Sequence, residues 1–378
     1  MLTTLLLLLF VCTAHAQSNG CQTPDKQPGF CIVVQSCKTL SDFVSKLPKP
    51  FSPAIREKIK AYQCGVSGNK AKVCCPLKPI IDQSGGGSEG FQFPDVSNHR
   101  NINLLPKSCG HLDTFVNKVV NGNETVLFEF PWMALLSYQT KRGPDFRCGG
   151  SIINENYILT AAHCVVNVER AGLKLIGVRV GEYDLRTTTD CQTDNGEEIC
   201  SPPVQDLAIE KVIPHARFDS KSILNDIALI RVSKIDLEQE NTQPVCLPLG
   251  NTGNFNYTNR RVVVTGWGKT EKGAASPVLL KAELEVSPRK ECQEKHTRNK
   301  IQDTQLCAGG QGGPKAADSC NGDSGSPLHS LEFLHEEPRY IQQGIVSFGP
   351  SDCGKVDIPG VYTRVASYLD WILDQLQP

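Results

Sequence analysis

From residue 119 to the C-terminus, apolar residues fall in short runs: Val119-Val120, Trp132 to Leu136, Tyr157 to Leu159, Leu175 to Val180, Ile227 to Val232, Val262 to Thr265, Gly344 to Phe348, and Gly360 to Val365. Gly, Pro and Asn punctuate them, the pattern of strands joined by turns. About 260 residues of this kind suit an all-β sandwich or a pair of barrels. Clear helical spacing occurs only from Val365 to Leu376, where Tyr368, Leu369, Ile372 and Leu376 can share a face.

The first hundred residues are different. Leu5 to Cys12 is an apolar run followed by Ala14-His15-Ala16, which reads as a signal peptide over residues 1–16 despite the absence of Lys or Arg at its start. The run is too short to span a bilayer, and no other stretch is a candidate span. Cys21, Cys31, Cys37, Cys64, Cys74 and Cys75 crowd into residues 21–75, too short a segment to bury much core without covalent staples. Between them, Leu40, Phe43, Val44 and Leu47 recur at helical spacing, with Ile55 and Ile59 following a proline break. Two short helical pieces are expected there. Adjacent cysteines do not readily pair with each other, so Cys74 and Cys75 face different partners, which the sequence does not choose. Residues 76–118 read as a linker, flexible by composition at Ser84-Gly-Gly-Gly-Ser88.

Composition sharpens this division. The 378 residues carry a formal charge of −1, which steers the chain to neither nucleic acid nor anionic membrane. Of 17 cysteines, loss of the leader removes Cys12 and leaves an even sixteen. In an oxidising compartment that means disulfides. Zinc is the rival, but Cys31-x5-Cys37 and adjacent Cys74-Cys75 fit it poorly, and no paired Cys-x2-Cys exists.

The candidate chemistry centres on Asp318 to Leu328. Ser324 lies in Gly322-Asp-Ser-Gly325, a turn that suits a nucleophile, with the amides of Gly322 and Ser324 able to face a developing oxyanion. Alone, such a segment reads equally well as an ordinary loop. His163 in Thr160-Ala-Ala-His-Cys164 is by itself a structural histidine, and Asp226 before Ile227-Ala-Leu-Ile230 an ordinary strand-edge carboxylate. Together they supply a nucleophile, a neutral imidazole to take its proton, and a buried carboxylate to fix the tautomer. The order His163, Asp226, Ser324 is one of three known triad orders.

These segments resemble the three signatures of chymotrypsin-fold serine proteases. Pro131-Trp132, Cys148-Gly-Gly-Ser151, Gly266-Trp-Gly268 and Pro359-Gly-Val-Tyr-Thr363 match as well. The resemblance covers residues 119–378. The six-cysteine segment 21–75 resembles a clip domain, and the whole chain resembles the arthropod clip-domain serine proteases. The fold implied is two six-stranded antiparallel β-barrels with a C-terminal helix, preceded by a small disulfide-knotted domain. The resemblance implies that His163 is general base, Asp226 its orienter, Ser324 the nucleophile, and the amides of Gly322 and Ser324 the oxyanion hole. Asp318 lies at the base of the specificity pocket, lined by Gly349 and Gly360, so the enzyme cuts after Arg or Lys.

Lys118-Val119-Val120-Asn121-Gly122 resembles the family's activation site. Cleavage after Lys118 frees the Val119 amino group to pair with Asp323, and before that the chain is a zymogen. The disulfides implied are Cys21–Cys74, Cys31–Cys64 and Cys37–Cys75 in the clip domain, and Cys148–Cys164, Cys292–Cys307 and Cys320–Cys353 in the protease. Cys109–Cys246 tethers the cleaved light chain, and Cys191–Cys200 closes an extra loop. A structural calcium is implied at Glu182 and Asp190 by side chain, and Asp184 and Thr187 by carbonyl; a solvated acidic loop is the alternative. Chemistry needs no cofactor. Asn123 and Asn256 are glycosylation acceptors.

Two departures bear on activity. Ser326 replaces a usual glycine, harmless only if its φ is negative, and Phe348 replaces a usual Trp. The expected function is a secreted endopeptidase in an extracellular innate-immune cascade, melanisation or Toll signalling, in haemolymph-like fluid. Its partners are an upstream activating protease, a downstream proenzyme or procytokine, and a serpin. The contrasting class is an inactive homologue acting as adaptor, which would usually lack the serine.

Overall fold

The computed structural model describes residues 20–24, 28–34, 37, 39–40, 59–67, 70–76, 93–112, 124–194, 196–252, 257–269, 274–309, 322–334, 337–350 and 358–378. They divide into two compact units, Met1–Glu89 and Gly90–Pro378. The signal-peptide stretch lies outside the described residues.

In the first unit a four-stranded antiparallel sheet runs in the order Gly20–Gln22, Pro28–Val33, Lys70–Pro76, Gln63–Ser67. Cys74 and Cys75 are successive residues of one strand, so their side chains leave opposite faces. Cys74 bonds Cys21, Cys75 bonds Cys37, and a third bridge joins Cys31 to Cys64. Cys37, Leu40, Tyr62 and Val73 form a small core. Of the helical pieces expected between Thr39 and Ala61, only 39–40 and 59–61 are described, and both are helical.

The second unit holds two β-systems. One is a seven-stranded sheet in the order Gln205–Leu207, Lys174–Val180, Met133–Thr140, Gly143–Asn154, Tyr157–Thr160, Ala228–Val232, Ile209–Pro214. Its two edge strands are consecutive in the chain, separated only by Ala208, so the sheet curls until its ends meet. Counted as one bent strand, they give a six-stranded barrel. The other system is a closed six-stranded barrel of Arg261–Gly266, Leu280–Val286, Gln305–Gly309, Gly360–Arg364, Glu337–Phe348 and Pro327–Leu334. Closure leaves no free edge in this barrel. Trp132, Leu136, Ile152, Ile158 and Ile230 lie in the first core; Val262, Leu284, Leu328 and Tyr362 lie in the second.

The C-terminal helical stretch begins as a 3₁₀ turn over Val365–Tyr368 and becomes α-helical over Leu369–Gln375, burying Leu369, Ile372 and Leu373. A second short helix, Arg289–Lys295, is not legible in the pattern because Cys292 is its one buried residue. Within the stretch read as linker, residues 93–112 pack on the catalytic unit. Phe93 lies under the Arg364 guanidinium at 5.3 Å, and Asn101 donates to the carbonyls of Leu373 and Leu376 at 2.8 and 3.2 Å. Gly110 N donates to Pro244 O, and Tyr340 N to Gly110 O, both at 2.8 Å. Beside them, Cys109 is bonded to Cys246.

Candidate active site

Strand Tyr157–Thr160 ends in the 3₁₀ turn Ala162–Cys164, which carries His163. Its neighbour Ala228–Val232 pairs with Ala228 opposite Thr160, so Asp226, two residues earlier, lies at the same end of the barrel. Asn225 holds the chain there in a left-handed conformation, φ 54°, which asparagine tolerates. Tyr368 Oη donates to Asn225 Oδ1 at 3.1 Å.

The Asp226 carboxylate is fully buried and fully engaged. Oδ2 accepts from His163 Nδ1 at 2.8 Å and Ser347 Oγ at 2.5 Å; Oδ1 accepts from the His163 amide at 2.9 Å. The ring's Nδ1 carries the proton in this arrangement, leaving Nε2 as the proton acceptor of the ring. Burial of the imidazole opposes its charging, but the Asp226 charge and hydrogen bond outweigh that, and the net displacement of the His163 pKa is upward. Sequence reasoning misses Ser347; only a hydroxyl before Phe348-Gly349 hints at it.

Ser324 lies in a tight turn of the second barrel between Gly322, φ 111°, and Gly325, φ 81°. Ser326 N donates to Asp323 O at 2.8 Å, and Gly325 N to Val346 O at 2.9 Å. The turn docks on the first barrel: Gly149 N donates to Ser324 O at 2.8 Å. A Cβ on Gly325 would stand 2.3 Å from Thr160 Oγ1 and 2.5 Å from Gly149 O, so only glycine permits the approach. Ser324 therefore sits beside the strand end that leads into His163. Among the described residues, no hydrogen bond joins Ser324 Oγ to the imidazole; Cys164 Sγ lies 3.7 Å from Nε2. Cys148, His163 and Cys164 cluster tightly enough for a metal, but Cys148 and Cys164 are disulfide-bonded to each other.

Asp323 is buried, and its Oδ1 accepts from Gly268 N at 2.8 Å. A Cβ on Gly266 or Gly268 would lie 2.0 or 2.4 Å from that carboxylate. Gly349 and Gly360 face one another, a Cβ on Gly349 falling 3.7 Å from Gly360 Cα, and among the described residues no side chain stands between them. Ser326 does not have positive φ, so its Cβ is unstrained; its Oγ fills space left by Gly149 and Gly266. Phe348 packs edge-on to His296 with ring centres 5.8 Å apart.

In the acidic loop, Glu182 and Asp190 are both buried. Tyr183 N donates to Glu182 Oε1 at 3.0 Å and to Asp190 Oδ2 at 3.1 Å. Burial and the Asp190 charge raise the Glu182 pKa. The Asp184 side chain turns to Arg186, while Asp184 O accepts from Thr187 N at 3.0 Å. Bridges also join Cys191 to Cys200 and Cys292 to Cys307. Lys118, Val119, Asp318, Cys320, Cys353, Asn123 and Asn256 lie outside the described residues. No described helix is long and apolar enough to cross a membrane.

The paired barrels with their short C-terminal helix make this a chymotrypsin-like serine endopeptidase fold. The family model Trypsin matches residues 119–372, and Regulatory CLIP domain of proteinases matches residues 21–75. Melanization protease 1 of Drosophila melanogaster is 37% identical over 97% of this chain and 96% of its own. Spaetzle-processing enzyme of the same species is 36% identical over 96% and 92%. The crystal structure of the Drosophila Grass clip serine protease of the Toll pathway superposes with a TM-score of 0.64 at 33% identity, covering 94% of this chain and 97% of that one. The chain belongs to the trypsin family of serine endopeptidases and, within it, to the clip-domain proteases. Its chemistry requires no cofactor.

Proposed function

We propose that this chain is a secreted zymogen, activated by cleavage after Lys118, whose catalytic domain cuts other secreted proteins after Arg or Lys. The observation that carries the reading is the fully buried Asp226, whose three donors include both nitrogens that position His163. In the reaction, Ser324 Oγ attacks the scissile carbonyl carbon while His163 Nε2 takes its proton. The amides of Gly322 and Ser324 stabilise the oxyanion. The imidazolium, held by Asp226, returns the proton to the leaving amine, and the C–N bond breaks to leave an acyl-Ser324. Water, deprotonated by His163, then releases the acid. Asp318 selects the cationic side chain, and Gly349 and Gly360 leave room for its length.

The Val119 ammonium pairs with Asp323 after cleavage, drawing the Ser324 turn into its working shape. The names of the relatives support an innate-immune cascade. In this reading an upstream protease is the activator, a proenzyme or procytokine the substrate and a serpin the inhibitor, in haemolymph-like fluid. The disulfide-rich chain fits that extracellular setting. Two buried carboxylates, one with its pKa raised, suit a hard cation: Glu182 and Asp190 would hold calcium by side chain, with the Asp184 and Thr187 carbonyls. Bound there, calcium would neutralise the mutual repulsion of the two carboxylates. Asn123 and Asn256 are assigned as glycan sites.

The test is limited cleavage of the secreted chain by a Lys-specific protease, N-terminal sequencing, and assay on small Arg, Lys and Phe substrates. A new chain starting at Val119 that hydrolyses Arg and Lys substrates, with Ser324→Ala silent, supports the reading. Correct cleavage with no hydrolysis overturns it.

A further inference from the structure

We propose that Gln192, on the disulfide-closed hairpin Cys191–Cys200, is a positioning residue for activation: it fixes the segment Thr125–Leu127, which carries the new N-terminus, relative to the loop that receives it. This rests on the activation reading above.

Gln192 is the centre of a closed circuit of hydrogen bonds. Its Oε1 accepts from Leu127 N at 2.8 Å, and its Nε2 donates to Tyr183 Oη at 2.6 Å. Tyr183 Oη donates in turn to Thr125 O at 2.7 Å. A single side chain thus clamps two backbone groups of one segment, the second through a phenol. The other end of Tyr183 serves the second barrel: its carbonyl accepts from Leu279 N at 3.0 Å and Trp267 Nε1 at 3.1 Å. Leu279 O accepts from Thr125 Oγ1 at 2.9 Å. Trp267 precedes Gly268, whose amide holds Asp323. The circuit therefore links the hairpin, the start of the catalytic domain and the backbone that cradles Asp323.

The chemistry singles out an amide side chain. Glutamine offers an acceptor and a donor at one carbon; glutamate lacks the donor, and methionine has no donor and only a weak sulfur acceptor. Val119 lies six residues before Thr125, so the ammonium is delivered from this anchor on a leash of at most about 20 Å at ~3.5 Å per residue. Loosening the anchor enlarges the volume the ammonium explores and weakens its hold on Asp323. The hairpin is then part of the activation apparatus, not only a surface insertion.

The experiment compares wild type, Gln192→Met and Gln192→Glu, made as full-length zymogens and cleaved after Lys118, with each new N-terminus sequenced. Two readouts separate positioning from general stability: the alkaline limb of kcat/KM on a small arginine amide, and the rate at which cyanate carbamylates the Val119 amine. A free α-amino group titrates near about 8, and pairing with a carboxylate raises that value. Activity that requires the ammonium is lost as pH rises through the raised pKa. Gln192→Met is expected to move this limb down by about one pH unit, a tenfold weaker hold, and to speed carbamylation by a similar factor. Gln192→Glu should fall between, and both readouts are taken well below the thermal midpoint of each variant. If Gln192→Met is not secreted, Tyr183→Phe, which deletes one oxygen of the circuit, carries the same readouts. A Gln192→Met enzyme with the wild-type limb and carbamylation rate overturns the proposal alone. Full activity in cleaved Asp323→Asn, with no alkaline limb in wild type, overturns the activation reading and this inference with it.

Discussion

Gly149→Ala isolates the contact between the two barrels at the proposed nucleophile, Ser324. Gly149 does not have positive φ, so alanine brings no backbone strain. The added methyl would stand 2.0 Å from Ser326 Oγ, 3.2 Å from its Cβ and 3.4 Å from its Cα. Ser326 is 1% exposed and is confined on its other side by Gly266, where a Cβ would reach Oγ at 3.4 Å. Overpacking of this kind costs about 1–3 kcal/mol. At about 2 kcal/mol, the thermal midpoint of a domain this size falls by roughly 4–8 °C. Activity should suffer more than stability, because Gly149 N holds Ser324 O at 2.8 Å and a displacement of about 1 Å can cost ~100-fold in rate. The decisive variant combines Gly149→Ala with Ser326→Gly. Removing Oγ leaves only the 3.4 Å contact to Cα, an ordinary van der Waals distance, so the double variant should recover most of both losses, with a coupling energy of about 2 kcal/mol. Thermal midpoints of the zymogens and kcat/KM of the cleaved enzymes complete the cycle. Additive losses, or a harmless Gly149→Ala, would refute the reasoning.

Two further predictions concern histidines. The acid limb of kcat/KM reports the neutral fraction of His163, whose pKa is raised by Asp226 against the effect of burial; activity should therefore appear as pH rises through a value above about 6.5. In Asp226→Asn only the burial contribution remains, so the limb should move to lower pH while the plateau falls by about 10⁴-fold. His329 is fully buried, accepts from Trp132 Nε1 at 2.7 Å, and has its pKa lowered to about 3 by burial. It stays neutral when folded and charges when unfolded below about pH 6.5, so stability contributed by this site falls as pH drops from 6.5 towards 3, by about 1.4 kcal/mol per pH unit. His329→Gln should flatten that slope in denaturant titrations; an unchanged slope would exclude His329 as its source.

How legible the molecule is depends on the range of the interactions involved. His163, Asp226 and Ser324 stand out because each lies in a local signature whose residues must be small or fixed: Gly325 for its approach to Thr160, Asn225 for its left-handed turn. Ser347 cannot be found this way, because its role exists only where Glu337–Phe348 passes Asp226, 121 residues away in sequence. Gln192 is hidden for the same reason, its partners being Leu127 and Tyr183. Strand Gly143–Asn154 escapes the pattern because its outer half, Gly-Pro-Asp-Phe-Arg, is polar and half exposed while its inner half is glycine-rich. The seventh strand of the first barrel arises from a break at Ala208, a detail of strand bending that no periodicity encodes.

The segment around Gly110 gives the light chain a second character. It supplies backbone partners to Pro244 and Tyr340 and a sulfur to Cys246, and a Cβ at Gly110 would collide with Tyr340 O at 2.1 Å. The proposed cut after Lys118 would therefore divide the polypeptide and leave this segment bound to the catalytic unit. A gene product beginning at Val119 would be short of a piece of its own surface, with one orphan thiol at Cys246 and the backbone groups of Pro244, Tyr340, Leu373 and Leu376 deprived of these partners. For expression of the active protease, the upstream piece is an ingredient and not a by-product.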